Sequence, residues 1–288
     1  MTDSELFVQF WGVRGSVPTP GLNTVRYGGN TSCIEVRVGG KHLIFDGGTG
    51  LRMLGQKLET EIPSEVHLLF THYHWDHIQG VPFFIPIFRN GKCLHVHGRV
   101  PPEGEQMNMQ EHFYHRVLHR NSPLGADIAK LLLNDDQIDL KFNDLVCSET
   151  FTIGNIVVET QPLNHPNGAM GYRVNWQGKS IVYCTDTEHF PDRLDENILY
   201  LARDADLLIY DAMYTDEEYY HPQFPKIGWG HSTWQEGVKI AKAAGVKQLA
   251  IFHHEPNHDD DFLDKLAVEA KEVFDGAFVA RENLIVSI

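Results

Sequence analysis

The stretch VHLLFTHYHWDHIQG, residues 66–80, joins a short apolar run to three histidines and an aspartate set within six positions: His72, His74, Asp76 and His77. Residues 66–70 have the length and composition of a buried strand. The four polar side chains then fall in the loop leaving its carboxyl end, a place where α/β proteins commonly build their sites. His72 and His74 alternate in the same sense, whereas Asp76 and His77 follow a turn, so one pair can serve one metal ion and the other pair a second. Imidazole combined with carboxylate suits zinc, manganese or iron. A merely histidine-rich surface loop has no reason to keep this spacing directly after a strand.

Further apolar runs bounded by Gly, Asn or Asp predict strands at 7–10, 33–38, 42–45, 156–159, 171–176, 180–184, 207–210 and 248–252. Helical periodicity appears at 50–58, 110–119, 124–133, 194–204, 233–244 and 261–274. The order, strands and then mixed elements twice over, predicts one domain of two αβ halves, about 1–150 and 151–288, meeting face to face. A more polar segment at about 101–143 reads as an insertion or lid.

Composition bounds the function. A chain of 288 residues with 42% hydrophobic content can bury a full core. The amino terminus lacks a basic segment followed by an apolar run, and no segment approaches the ~18 apolar residues of a membrane span, so a soluble protein with no membrane partner is expected. Cys33, Cys93, Cys147 and Cys184 are scattered without a C-x-x-C pair, which argues against a zinc knuckle or disulfide framework and for a reducing cytoplasm. The formal charge of −15 opposes a large nucleic-acid partner, because neutralising phosphates takes a stripe of Lys and Arg. A small substrate held by local positive charge fits better; a homodimer is kept as an expectation.

The order H-x-H-x-D-H after an apolar strand resembles the metal motif of the metallo-β-lactamase superfamily. That resemblance implies an α+β fold, an αββα sandwich of two packed β-sheets flanked by helices, with metal ions at the edge between the sheets. It also implies a further His, an Asp ending a strand, and a His ending a strand near the carboxyl end. His165 in LNHP, Asp186 at the end of IVYCTD and His253 at the end of LAIFHH stand in that order. The implied ligand sets are His72, His74, His165 and Asp186 for one divalent ion, and Asp76, His77, Asp186 and His253 for the other. Zinc is the expected metal, with manganese or iron as alternatives. Pattern alone leaves the register of His253 and His254 open, and His254 is expected to neighbour the metals or face the substrate. Two ions about 3.5–4 Å apart lower the pKa of a shared water and clamp the attacking and leaving oxygens, so the implied reaction is hydrolysis; Asp76 joins that catalytic set.

GHST at 230–233 resembles a segment of ribonuclease Z and related phosphodiesterases, in which an acidic residue ending the previous strand holds the histidine. Asp211 occupies that place. His231 then serves as a general acid toward a departing alkoxide, with Asp211 orienting it. The plainer alternative is a residue preceding a helix capped by Ser232. The glycine-rich FWGVRGSVP and GGNTSC resemble openings of the same branch, where Arg14 and Asn30 would bind a phosphate; turn glycines with Arg14 in a structural ion pair are the alternative. Asp46 in FDGGTG reads as a partner orienting a ligand imidazole.

Outside these motifs, His112, His115 and His119 share a helical face that reads as solvated, or else as a metal site or pH-sensitive lid. His95 and His97 share a strand face and read as surface residues. Tyr219, Phe224 and Trp229 either stack on a base or pack.

Ribonuclease Z needs an extended basic arm for transfer RNA, which the sequence does not show. The expected substrate is therefore a small phosphodiester, a cyclic nucleotide or cyclic phosphate. An RNA-processing endonuclease and a thioester or lactone hydrolase on the same scaffold are the alternatives, with a non-catalytic binding module last because all seven ligands are present. The oxygen-reducing di-iron members carry an acidic residue where His74 stands.

Overall fold

The computed structural model describes residues 6–58, 63–84, 93–100, 107–117 and 139–288. Among the described residues, two seven-stranded mixed sheets pack against each other. The first begins with an antiparallel meander of β1 (Phe7–Gly12), β2 (Cys33–Val38) and β3 (Lys41–Phe45). It continues in parallel through β4 (Glu65–Leu69), β5 (Cys93–Arg99) and β6 (Asp139–Leu145). The second sheet repeats this plan: β7 (Thr150–Ile153), β8 (Ile156–Leu163), β9 (Ala169–Trp176) and β10 (Lys179–Cys184) are antiparallel neighbours. The parallel strands β11 (Leu207–Asp211), β12 (Gln248–Phe252) and β13 (Ala277–Val279) follow. The last strand, β14 (Ile285–Ser287), returns to pair antiparallel with β1. Strands from 7–145 together with β14 thus make one sheet, and strands from 150–279 the other.

Alternation along the strands builds the layers. Val8 and Phe10 of β1, Leu43 and Phe45 of β3, and Leu69 of β4 meet Val158, Tyr172, Tyr183 and Phe252 from the second sheet in one inter-sheet core. On the outer faces, the helix Gly50–Leu58 packs Leu51, Leu54 and Leu58 over Val66 and Leu68. The helix Asp260–Val273 packs Leu263, Leu266 and Ala270 over Leu249 and Ile251. Each such leucine contributes about 1.5–3 kcal/mol by leaving water. The latter helix begins where Asp259 accepts from the Phe262 N–H at 2.9 Å, a side-chain cap.

Parallel strands deliver their carboxyl ends to one edge of the sandwich, and the backbone turns sharply there. Asp46, Asp186 and His253, directly or almost directly after β3, β10 and β12, all have positive φ, at 60°, 58° and 64°. Such conformations are uncommon outside glycine and cluster at functional sites.

Several expectations change. The helical pattern over 110–119 is a short α-helix, Met109–His112, followed by a π-turn, Phe113–Val117. His112 is buried and stacks on Tyr73 at 5.1 Å, while His115 is exposed, so they do not form one solvated face. His119, the 124–133 helix and most of the 101–143 segment lie outside the described residues. His97 is not a surface residue: it is 5% exposed and stacks on Phe151 of β7 at 5.8 Å, because its strand face looks toward the second sheet.

Candidate metal centre

Four strand-end turns and a short helix place the ligand-type side chains. His72 and His74 follow β4, and the helix Trp75–Ile78 carries Asp76 and His77. His165 follows β8, Asp186 follows β10 and His253 follows β12. His72, His74, His165 and Asp186 each bring one donor atom within 4.8 Å of the others; Asp76, His77, Asp186 and His253 do the same.

Asp186 belongs to both groups and divides its oxygens between them. Oδ1 lies 3.6 Å from His72 Nε2 and 3.8 Å from His165 Nε2. Oδ2 lies 3.1 Å from His77 Nε2 and 3.2 Å from His253 Nε2. The remaining edges include His165 Nε2 to His74 Nδ1 at 3.1 Å and Asp76 Oδ2 to His77 and His253 Nε2 at 3.2 and 3.3 Å. Donors roughly 2.0–2.2 Å from a tetrahedral ion stand about 3.3–3.6 Å apart, so both groups have the size of a zinc-class cage.

Outer partners fix the rings. His72 Nδ1 meets Thr71 Oγ1 at 3.0 Å, His77 Nδ1 meets Asp46 Oδ2 at 2.9 Å, and His165 Nδ1 meets the Gly230 carbonyl at 2.9 Å. Each contact leaves the ring's Nε2 turned to the centre. The Nε2 of His72 is buried with no hydrogen-bond partner among the described residues, which a metal ion would satisfy. Burial alone would lower the pKa of His77, but Asp186, Asp76 and Asp46 push it well above its ordinary value: this position demands a cation, proton or metal. The residues therefore fit two divalent ions.

Asp46, fully buried, accepts from the Thr71 N–H at 2.8 Å and from Tyr183 Oη at 3.0 Å as well, and so joins both sheets beneath the centre. Beside Asp186, Asp211 Oδ2 sits 2.8 Å from His231 Nδ1. Burial would lower the pKa of His231, yet Asp211 and Asp186 raise it to about 9. Thr233, not Ser232, caps the following helix Trp234–Ala243 by accepting from the Glu236 N–H at 3.2 Å. Ser232 Oγ instead lies 3.0 Å from His189 Nδ1.

Three residues read as substrate contacts stand elsewhere. Arg14 is fully buried, and its guanidinium donates to the carbonyls of Gly28 at 2.8 Å and His258 at 2.6 Å, so it fastens the amino-terminal loop to the segment after β12. The Asn30 amide donates to Glu282 Oε2 at 3.0 Å. His254 is 1% exposed with Nε2 2.7 Å from the Ala280 carbonyl, on the side of the chain away from the ligand atoms that His253 faces. All three hydrogen-bond to other parts of the chain.

Three further residues, in two loops, were not singled out in the sequence. Gly15 and Ser16 come against the centre itself: the Ser16 N–H donates to Asp76 Oδ2 at 2.8 Å, and a Cβ on Gly15 would lie 2.6 Å from His253 Cε1. Glu188 accepts from Gly228, Gly230 and Tyr219 at 2.6, 2.9 and 2.5 Å, which shapes the loop bearing His231. The glycines of both loops were the available signal.

Comparison with known proteins places this geometry. The model of the beta-lactamase superfamily domain matches residues 41–254. Ribonuclease Z of Haloferax volcanii is 28% identical over 319 aligned positions, covering 95% of this chain and 92% of that protein. Among solved structures, the metallo-beta-lactamase fold protein YhfI of Bacillus subtilis aligns with a TM-score of 0.71 at 21% identity, covering 99% of this chain and 100% of that one. The short form of human tRNase Z aligns with a TM-score of 0.65 at 18% identity, over 98% and 99%. Most of the chain being matched by the family model, and both donor groups lying at the strand ends of that fold, the protein belongs to the beta-lactamase superfamily and is a metal-dependent hydrolase.

Proposed function

We propose that the protein is a dinuclear metal-dependent phosphodiesterase acting on a small phosphodiester, a cyclic nucleotide or cyclic phosphate. The observation that carries this reading is the Asp211–His231 pair, with His231 Nδ1 3.9 Å from Asp186 Oδ1 and so beside both donor groups. His72, His74, His165 and Asp186 hold one ion, and Asp76, His77, Asp186 and His253 the other; zinc suits the imidazole–carboxylate set best. When bound, the two ions supply an activated water and charge stabilisation for the phosphoryl oxygens. Asp211 holds Nδ1 of His231, so the ring's Nε2 is the atom that delivers a proton to the leaving alkoxide. Asp46, Thr71 and Gly230 keep the ligand rings from turning.

Substrate size follows from charge and surface. A net charge of −15 repels a long polyanion, while Trp75 next to His74 and Trp229 two residues before His231 are 78% and 57% exposed and offer faces for one base. The names of the Haloferax volcanii ribonuclease Z and of human tRNase Z favour a second reading, a ribonuclease acting on transfer RNA. Metal-loaded protein assayed against 2′,3′- and 3′,5′-cyclic nucleotides, a cyclic dinucleotide, a thioester and a precursor transfer RNA separates the two. Turnover of a cyclic phosphodiester supports the proposal; cleavage of the RNA with none of the small diesters overturns it.

A further inference from the structure

A second group of metal-type side chains lies away from the centre, on the face of the first sheet that looks toward β7. We infer that His67, His95 and His97, with Glu65 as fourth donor, form a separate site for a single zinc-class divalent ion.

The geometry follows from strand pairing. His95 and His97 are two apart on β5 and so share a face, and His67 on β4 lies directly across from His95 in parallel register. Alternation puts Glu65 and His67 on the same face as Leu69, whose side chain belongs to the inter-sheet core. Ring nitrogens of the three histidines come within 4.8 Å of one another. His67 Nδ1 is 3.1 Å from His97 Nε2, and Glu65 Oε1 lies 3.0 Å from His95 Nε2 and 3.4 Å from His67 Nε2. The other Glu65 oxygen takes Lys41, which leaves Oε1 turned toward the rings.

Two observations point to a ligand. His67 is 4% exposed and its Nε2 has no hydrogen-bond partner among the described residues; the same holds for Nδ1 of His97. The unmet ring nitrogens of His67 and His97 are costly to bury, and an ion would satisfy one that faces it. Burial also lowers the pKa of His67 to about 4 and of His97 to about 3, which keeps both rings neutral and able to ligate. His95 and Glu65 are only part-buried and give an ion a way in. The contacts of 3.0, 3.1 and 3.4 Å are near the roughly 3.3–3.6 Å edges of a closed tetrahedral site, and χ rotation selects which nitrogen of His67 faces the ion.

The test is metal stoichiometry. Full-length protein is saturated with Zn2+, desalted and analysed by mass spectrometry for zinc per chain, alongside H95Q, E65Q and D186A. The expected result is three ions in the wild type, two in H95Q and in E65Q with hydrolysis of bis(p-nitrophenyl) phosphate retained, and one in D186A. Two variants at different strands guard against misfolding of either, with circular dichroism as the check. A wild type holding only two ions, or a third ion that survives both H95Q and E65Q, overturns the site.

Discussion

The backbone N–H of Ser16 donates to Asp76 Oδ2 at 2.8 Å, which ties the amino-terminal glycine-rich turn directly to a carboxylate of the candidate metal centre. The turn reaches that position because Gly15 has no side chain: a Cβ there would meet Met213 Cε at 2.3 Å and His253 Cε1 at 2.6 Å. Met213 can move its flexible tip, but His253 is fully buried and follows a strand end with positive φ. Gly15→Ala is therefore expected to keep the fold and displace His253, lowering metal affinity and hydrolysis together by about 10-fold or more, the range seen when the support of a ligand is lost. Isothermal titration of zinc into the variant checks this; unchanged affinity would show that the turn yields without disturbing the ligand.

Much of this centre was legible in the sequence because strand ends are. Residues 66–70, 180–184 and 248–252 are apolar enough to mark where each strand stops, and the polar residues that follow land on one edge. Arg14, Asn30 and His254 were not legible for a different reason. Whether a guanidinium faces a substrate or a carbonyl is set by partners such as His258, 244 positions away, and no local pattern encodes them. His95 and His97 show the same limit: their alternation is visible, but which face the second sheet covers depends on β7. The return of β14 to β1 is a pairing of three residues and leaves almost no signal.

Asp186 faces both donor groups with different oxygens, so Asp186→Ala removes a ligand from each. It should be the most damaging single ligand change, abolishing measurable hydrolysis and leaving neither centre ion after desalting. A chelator should do the same to the wild type, reversibly on addition of zinc. Activity that survives chelation would refute a metal-dependent reaction for this chain.

Asp46 is fully buried, fixes His77 and bridges to Tyr183. Asp46→Asn keeps the shape and weakens the charge behind the imidazole, so metal affinity is expected to fall roughly 10–100-fold. Tyr183→Phe removes only the inter-sheet hydrogen bond and should cost about 0.5–1.5 kcal/mol of stability in denaturant titration, with metal affinity nearly intact. Equal metal loss in both would mean that Asp46 acts by packing.

A small diester presents one or two phosphates, so its binding should weaken only gently with salt. A protein contacting six to ten phosphates loses roughly 10³–10⁵ in affinity between about 50 and 200 mM. KM measured across that range distinguishes them, and a steep rise would favour the RNA reading.

The role of His231 has its own signature, because a general acid matters in proportion to the basicity of the leaving group. A ribose alkoxide needs a proton; a nitrophenolate departs without one. His231→Ala should keep both centre ions, since neither donor group assigned to an ion includes it, and slow cleavage of a cyclic nucleotide by roughly 10²–10⁴-fold. Hydrolysis of bis(p-nitrophenyl) phosphate should suffer far less. Asp211→Asn removes the charge 2.8 Å from His231 Nδ1, which holds the ring protonated, and should show the same split more mildly. In the wild type Asp211 favours the protonated ring, so cyclic-nucleotide turnover should fall on the alkaline side as His231 loses its proton, and the alkaline limb should be missing in His231→Ala. Equal losses on both substrates with metals retained would make His231 a positioning residue, since an acid cannot slow a step that needs no proton.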